Sequence, residues 1–146
     1  MSALGGVAVL DLGHGIAGPF AARLLADLGA DVVKVERPGS GDFTRRLGPF
    51  ATDAEGARTS ALHELLNWNK RSVALDLHES AARERVRALA RDADIVVASL
   101  RPRTLEQWQL DAASLRAGNP RLVVTTVSNF GASGPAPRPC RRRTLR

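Results

Sequence analysis

Three glycines near the N-terminus have the spacing of loops that bind nucleotide phosphates. Gly13, Gly15 and Gly18 fit the pattern G-x-G-x-x-G, and Glu36 follows the last of them by 18 positions. Such glycines let the backbone approach a bulky ligand, and N–H groups at a helix start attract phosphate. In a dinucleotide-binding protein, the acidic residue would bind a ribose hydroxyl. A tight strand-to-helix turn without a ligand is the alternative interpretation.

Two further residues add polar chemistry to this region. His14 lies inside the glycine loop, either as a functional residue or as an ordinary polar loop residue. Arg37 directly follows Glu36 and places a cation where the adenosine end of a nucleotide is expected. Coenzyme A carries a 3′-phosphate that NAD lacks, so this cation favours coenzyme A over NAD. A solvated arginine without a ligand is the alternative for Arg37.

Alternating strands and helices must position these residues. The apolar pattern predicts five strands, at about 7–12, 31–36, 72–77, 95–99 and 122–128. Helices are predicted between them, at about 18–28, 60–66, 80–90 and 112–117. This alternation predicts an α/β fold with a Rossmann-like parallel sheet and helices on both faces. Ligands of such sheets lie beyond the carboxyl ends of the strands, so the loops there are the candidate sites.

Local signals refine the element boundaries. Gly29 is expected just after the end of the first long helix, where a glycine often terminates a helix. Ser80 and Asp111 are predicted to cap the helices that follow them. Pro102 is expected to break the chain, and the segment 37–58 is predicted to be a loop rich in Gly, Pro and Arg.

Composition bounds the class of protein. The 146 residues, 44% of them hydrophobic, fit one soluble domain. No apolar run approaches the roughly 20 residues that span a bilayer, and no secretory leader pattern is present, so a cytoplasmic protein is expected. The single Cys140 cannot form an internal disulfide, which agrees with a reducing compartment.

The basic charge comes mainly from the C-terminal segment. The net charge is +6, and residues 138–146 contain five arginines and no acid, which leaves +1 for the remainder. The high charge is therefore poor evidence for nucleic-acid binding by the domain. An arginine arm that binds nucleic acid is a weaker hypothesis, since its binding would depend on salt.

Several segments, taken in this order and spacing, resemble the N-terminal part of the family III CoA-transferases. This group, of the CaiB/BaiF type, includes formyl-CoA transferase, carnitine CoA-transferase and alpha-methylacyl-CoA racemase. The segments are VLDL (9–12) through AGPF (17–20), LADLGADVVKVE (25–36), NKRSVALDL (69–77), NPRLV (119–123), and SNFG (128–131) with GP (134–135). The resemblance implies a coenzyme A-binding domain over 1–135, followed by a basic tail, 136–146, without family pattern.

The resemblance also implies a set of coenzyme A-binding residues in the loops after the strands. They are Ile16, Ala17, Arg37, Leu75, Asp76, Leu77, His78, Ser99, Leu100 and Arg101. Two departures from the family pattern are expected to affect the affinity for coenzyme A. The family's usual Asn-Phe-Arg-Pro-Gly turn reads Ser-Leu-Arg-Pro-Arg at 99–103, and Gln107 stands where an arginine often contributes. Arg103 is expected to compensate in part.

The implied activity is transfer of coenzyme A between an acyl-CoA and a small carboxylic acid, by interlocked homodimers. Coenzyme A is then a substrate, and neither a tightly bound cofactor nor a metal is expected. The family's catalytic aspartate lies downstream of the last matching segment, so no catalytic residue is assigned here. We expect a truncated or frame-shifted chain that is inactive alone. The alternatives are part of an acyl-CoA racemase or a non-catalytic NAD-type module.

Overall fold

A parallel sheet of five strands forms the centre of the computed structural model, which describes residues 2–52, 54–129 and 131. The strands are β1 (Ala8–Leu12), β2 (Asp31–Glu36), β3 (Phe50–Thr52), β4 (Arg58–Ser60), β5 (Lys70–Ala74), β6 (Ile95–Ala98) and β7 (Val123–Thr126). The central sheet has the order β5-β2-β1-β6-β7, and all its neighbouring pairs are parallel. The other two strands, β3 and β4, form a separate antiparallel pair.

Helices connect the strands of the central sheet. They are α1 (Ala17–Asp27), α2 (Ala61–Asn67), α3 (Ser80–Arg91), α4 (Pro102–Gln107) and α5 (Ala112–Gly118). A short 3-10 turn spans Phe43–Arg46. The predicted α/β fold with a parallel sheet is therefore confirmed. No helix among the residues described is long and apolar enough to cross a membrane.

Two apolar cores lie on the two faces of the sheet, because successive strand residues point to opposite sides. One core contains Val9, Val32 and Val97 with Ala22 and Ala26 of α1. The other includes strand residues such as Leu10, Val35 and Val96, together with side chains of the last three helices: Val86, Ala90, Leu105 and Leu115. Helices thus cover both faces, as expected for a buried parallel sheet.

Some of the predicted boundaries were wrong. The strand predicted at 72–77 is β5, which begins two residues earlier, at Lys70, and ends at Ala74. Segment 37–58 contains the 3-10 turn and the strand β3, and reaches the start of β4. Pro102 begins α4 as an N-terminal helical residue, a position that suits its missing N–H, so it does more than break the chain.

The capping predictions had mixed outcomes. Asp111 caps α5 by accepting from the N–H groups of Ala113 and Ser114, as predicted. Gly29 follows the C-cap of α1 with a φ of +98°, also as predicted. Ser80 is not the cap of α3, because that helix already includes it and Glu79 precedes it without a side-chain cap bond. The arginine-rich segment 138–146 and the predicted tail 136–146 lie outside the described residues.

Helix α1 carries an apolar stripe on its outer surface. Ile16, Phe20, Leu24 and Leu28 recur every fourth residue and are 45–56% exposed. The segment at α2 lies close by, since the Arg23 guanidinium of α1 donates to the backbone oxygen of Leu65. That segment adds two more exposed apolar side chains, Leu65 and Trp68, at 54% and 58%. Contiguous apolar surface of this kind commonly marks a contact surface.

Candidate functional site

A cleft of about 330 Å³ opens at the carboxyl ends of four neighbouring strands. The loop after β1 contributes His14, and the end of β2 with the loop after it contributes Val35, Glu36, Arg37, Ser40, Gly41, Phe43 and Arg46. The loop after β5 contributes Leu75, Asp76, Leu77 and His78, and the segment after β6 contributes Leu100 and Trp108. A parallel sheet places its ligand sites at this edge.

Six of the ten predicted binding residues line this cleft: Arg37, Leu75, Asp76, Leu77, His78 and Leu100. The four residues of 75–78 line it because β5 ends at Ala74, which leaves them in the loop at the carboxyl edge. The other four are not among the lining residues. Ile16 and Arg101 are the N-cap residues of α1 and α4, and Ala17 is the first residue of α1. Ser99 Oγ accepts from the His14 N–H in the loop after β1.

The N–H groups of the glycine loop are already used by the protein. The Gly13 N–H donates to Asp11 Oδ1 at 2.8 Å, and the His14 N–H donates to Ser99 Oγ at 2.7 Å. The Gly15 N–H donates to the Asp42 carboxylate, at 3.1 Å to Oδ2. These three amides are therefore not free for a phosphate, which would have to displace protein acceptors.

Close packing explains two of the three glycines. A Cβ at Gly13 would lie 2.7 Å from Asp11 Oδ1 and 3.0 Å from backbone of Gly18. A Cβ at Gly18 would lie 3.1 Å from the Gly13 Cα and 3.2 Å from the Ser99 side chain. The loop and the first turn of α1 therefore pack backbone against backbone, which side chains would prevent.

Glu36 is held by an arginine and is not free for a ribose. Arg45 donates to both carboxylate oxygens, each at 2.8 Å, and the Asp42 N–H donates to Oε2 at 2.9 Å. Burial raises the pKa of Glu36, but the hydrogen bonds from Arg45 and Asp42 outweigh burial and lower its pKa to about 2. These contacts disfavour the NAD interpretation, in which Glu36 would accept from ribose hydroxyls.

A buried ionic cluster lies behind the cleft. Its charged side chains are Asp11, Lys34, Asp42 and Lys70, each no more than 1% exposed. Lys34 Nζ lies 3.2 Å from Asp42 Oδ2, and Lys70 Nζ lies 2.8 Å from Asp11 Oδ2. Two lysines and two aspartates balance in charge, as buried ions must.

Sequence reasoning did not identify this cluster. Lys34 interrupts an otherwise apolar stretch of a strand that is buried on both faces, and a lysine at such a position needs a buried partner. That pattern indicates the cluster, and Asp11 interrupts the apolar run of β1 in the same way.

Two separate histidines flank the cluster. His63 Nδ1 lies 2.9 Å from Thr44 Oγ1, and burial, with Arg45 nearby, lowers the pKa of His63. Burial and the charge of Lys34 likewise lower the pKa of His14, which lines the cleft 3.8 Å from Asp42. Both imidazoles are therefore predominantly uncharged at pH 7, so His14 offers the cleft a neutral hydrogen-bonding group.

The cleft combines exposed cations with an apolar and aromatic wall. Arg37 is exposed, and its guanidinium has no hydrogen-bond partner in the part of the chain that the structure describes. Arg46, also exposed, donates to the Ser40 oxygen at 3.2 Å. On the wall, the rings of His78 and Trp108 meet edge to face with centroids 5.3 Å apart. Such a surface suits a ligand with phosphates and a flat ring.

Comparison with known proteins identifies related chains. A family model described as CoA-transferase family III matches residues 4–140. The succinate–glutarate CoA-transferase of Agrobacterium fabrum is 42% identical, over 90% of this chain and 34% of its own length. The formyl-CoA:oxalate CoA-transferase of Afipia carboxidovorans is 38% identical, over 88% of this chain and 30% of its own length.

A solved structure shares the fold. The crystal structure of a CaiB/BaiF family protein from Brucella suis superposes with a TM-score of 0.86 at 40% identity. The superposition covers 93% of this chain and 36% of the Brucella chain. The chain thus spans about a third of the length of the relatives it matches.

Proposed function

The chain belongs to CoA-transferase family III, and from that premise we propose that it is the N-terminal, coenzyme A-binding part of an acyl-CoA:carboxylate CoA-transferase. The observation that carries this proposal is the cleft, where the exposed Arg37 adjoins a wall that contains Trp108. The relatives named above are transferases by name, which supports transfer over racemisation.

In this proposal Arg37 binds the 3′-phosphate of coenzyme A. Its guanidinium follows β2 at the carboxyl edge and has no competing acceptor among the described residues. The loop 75–78 and Leu100, which also line the cleft, contact the rest of the nucleotide in this proposal. Four residues outside the lining remain proposed contacts, since they lie within three positions of the cleft-lining residues His14 or Leu100: Ile16, Ala17, Ser99 and Arg101.

The substrates of the complete reaction are proposed to be an acyl-CoA and a small carboxylic acid. The names of these relatives include succinate, glutarate and oxalate, which supports an acid of that class. No residue of this chain is proposed as the nucleophile. Asp11 and Asp42 are buried within ion pairs, which leaves neither of them accessible to a thioester.

The homodimer that the resemblance implies is also a proposal. The stripe on α1, with exposed Phe20, Leu24 and Leu28, supports contact with further polypeptide. Because the chain spans about a third of its relatives, we propose that these 146 residues bind coenzyme A without catalysing transfer. Turnover of succinyl-CoA with a carboxylate acceptor above a buffer control would contradict this.

The binding experiment compares Arg37→Ala with Arg85→Ala. Arg85 is exposed on α3 and does not line the cleft, so it controls for loss of a surface charge. A charge-assisted hydrogen bond contributes about 1.5–3 kcal/mol, so Arg37→Ala should weaken coenzyme A binding roughly 10- to 100-fold. Binding of dephospho-CoA should change much less, and Arg85→Ala should change neither. Equal losses for both ligands would show that Arg37 does not recognise the 3′-phosphate.

A further inference from the structure

A buried carboxylate joins two of the loops that form the cleft. Asp42 belongs to the loop after β2, and its side chain is 0% exposed. Both of its oxygens accept from the N–H of Gly15, in the loop after β1, at 3.1 and 3.3 Å. We propose that Asp42 is a positioning residue for ligand binding, which clamps these two loops together before the ligand arrives. The inference rests on the proposed function.

Asp42 is itself fixed within its own loop. Its Oδ1 accepts from the Thr44 N–H and from Thr44 Oγ1, each at 3.0 Å. Its own N–H donates to Glu36, which Arg45 holds in turn. The carboxylate therefore cannot rotate away from Gly15 without breaking several hydrogen bonds.

Lys34 supplies the charge that the clamp needs. Its ammonium lies 3.2 Å from Asp42 Oδ2 and donates to the Gly13 oxygen at 2.8 Å. One buried cation therefore contacts both loops, through a carboxylate on one side and a carbonyl on the other. A buried carboxylate without such a partner would be strongly destabilising, so the two charges depend on each other.

The two loops also touch directly. Gly15 has a φ of +79°, and a Cβ there would lie 3.0 Å from the ring of Phe43. His14 and Phe43, which adjoin the two clamped residues, both line the cleft. The clamp thus sets the relative position of two walls. A preformed cleft loses less conformational entropy on binding, which raises affinity.

Amide hydrogen exchange in the ligand-free chain tests the clamp itself. The Gly15 amide should be protected before any coenzyme A is added, and Asp42→Asn should remove much of that protection. Exchange of Gly15 at an unprotected rate in the unmodified chain would overturn the proposal. The measurement on the unmodified chain needs neither ligand nor variant, so it tests the contact between Gly15 and Asp42 even where Asp42→Asn fails to fold, and independently of whether coenzyme A binds.

Titration with coenzyme A then shows whether Asp42 positions the cleft for ligand binding or only stabilises the fold. The matched control is Asp111→Asn, because Asp111 also accepts from two backbone N–H groups but caps α5 outside the cleft lining. At a temperature where both variants are fully folded, Asp42→Asn should bind coenzyme A about tenfold more weakly or worse. Asp111→Asn should bind within twofold of the unmodified chain. Affinity within twofold for both variants would overturn the positioning role.

Discussion

The ion pair between the buried Glu36 and the partly exposed Arg45 predicts a specific loss of stability in acid. Glu36 is 5% exposed on its side chain, and its pKa is lowered from 4.5 to about 2, since the hydrogen bonds from Arg45 and Asp42 outweigh burial. One pKa unit corresponds to 1.36 kcal/mol, so the ionised carboxylate stabilises the fold by about 3 kcal/mol.

The lowered pKa of Glu36 determines how the stability of the fold changes with pH. A carboxyl group whose pKa is lower in the folded state contributes its full stabilisation above its unfolded pKa, here 4.5. The contribution is lost as pH falls towards 2, and about 2 kcal/mol of it should be gone by pH 3. Glu36→Gln cannot titrate, so the stability difference between unmodified chain and variant should shrink by that amount between pH 7 and pH 3.

Urea unfolding of both proteins across this pH range measures the difference directly. The control is Glu84→Gln, because Glu84 pairs with Arg87 at 2.6 Å on the exposed surface of α3. A solvent-exposed ion pair contributes little to stability, so the stability difference between the unmodified chain and Glu84→Gln should stay nearly constant with pH. A Glu36→Gln difference that is equally large at pH 7 and pH 3 would refute the reasoning, since the carboxylate would then not be stabilised by ionisation.

Two further results are expected. Gly18→Ala should lower the free energy of unfolding in urea by about 1–3 kcal/mol, because its Cβ would lie 3.1 Å from the Gly13 Cα. The control is Gly39→Ala, where a Cβ meets nothing within 4 Å but φ is +72°, so only backbone strain should destabilise that variant. The isolated chain should bind a hydrophobic dye through the stripe on α1, and Leu24→Gln with Leu28→Gln should reduce the signal; an unchanged signal would place the dye elsewhere.

The sheet and its main helices could be predicted because apolar periodicity is local. The runs that form β1, β2 and β6 are nearly continuous in sequence, as strands buried on both faces must be. The start of β5 could not be predicted in the same way. Its first residue is Lys70, whose side chain is buried against Asp11, a contact across 59 positions that no local pattern indicates.

The candidate site was predictable where a residue follows a strand directly. Arg37 lines the cleft for that reason. The loop 75–78 was expected there only from the family resemblance, because the predicted strand extended to residue 77, whereas β5 ends at Ala74. The role of Glu36 was not predictable, because its partner Arg45 comes from a loop without regular periodicity. The glycine spacing likewise suggested phosphate binding, whereas Gly15 donates to a carboxylate that lies 27 positions away. Spacing alone does not reveal which acceptor an amide uses.

The most direct test is calorimetric titration of the unmodified chain with coenzyme A, dephospho-CoA and NAD under one set of conditions. The cleft places the exposed Arg37 beside a wall containing His78 and Trp108, while Glu36 is occupied by Arg45. The account therefore predicts that coenzyme A binds most tightly, dephospho-CoA more weakly and NAD most weakly of the three. NAD binding as tight as or tighter than coenzyme A would contradict the assignment of the cleft.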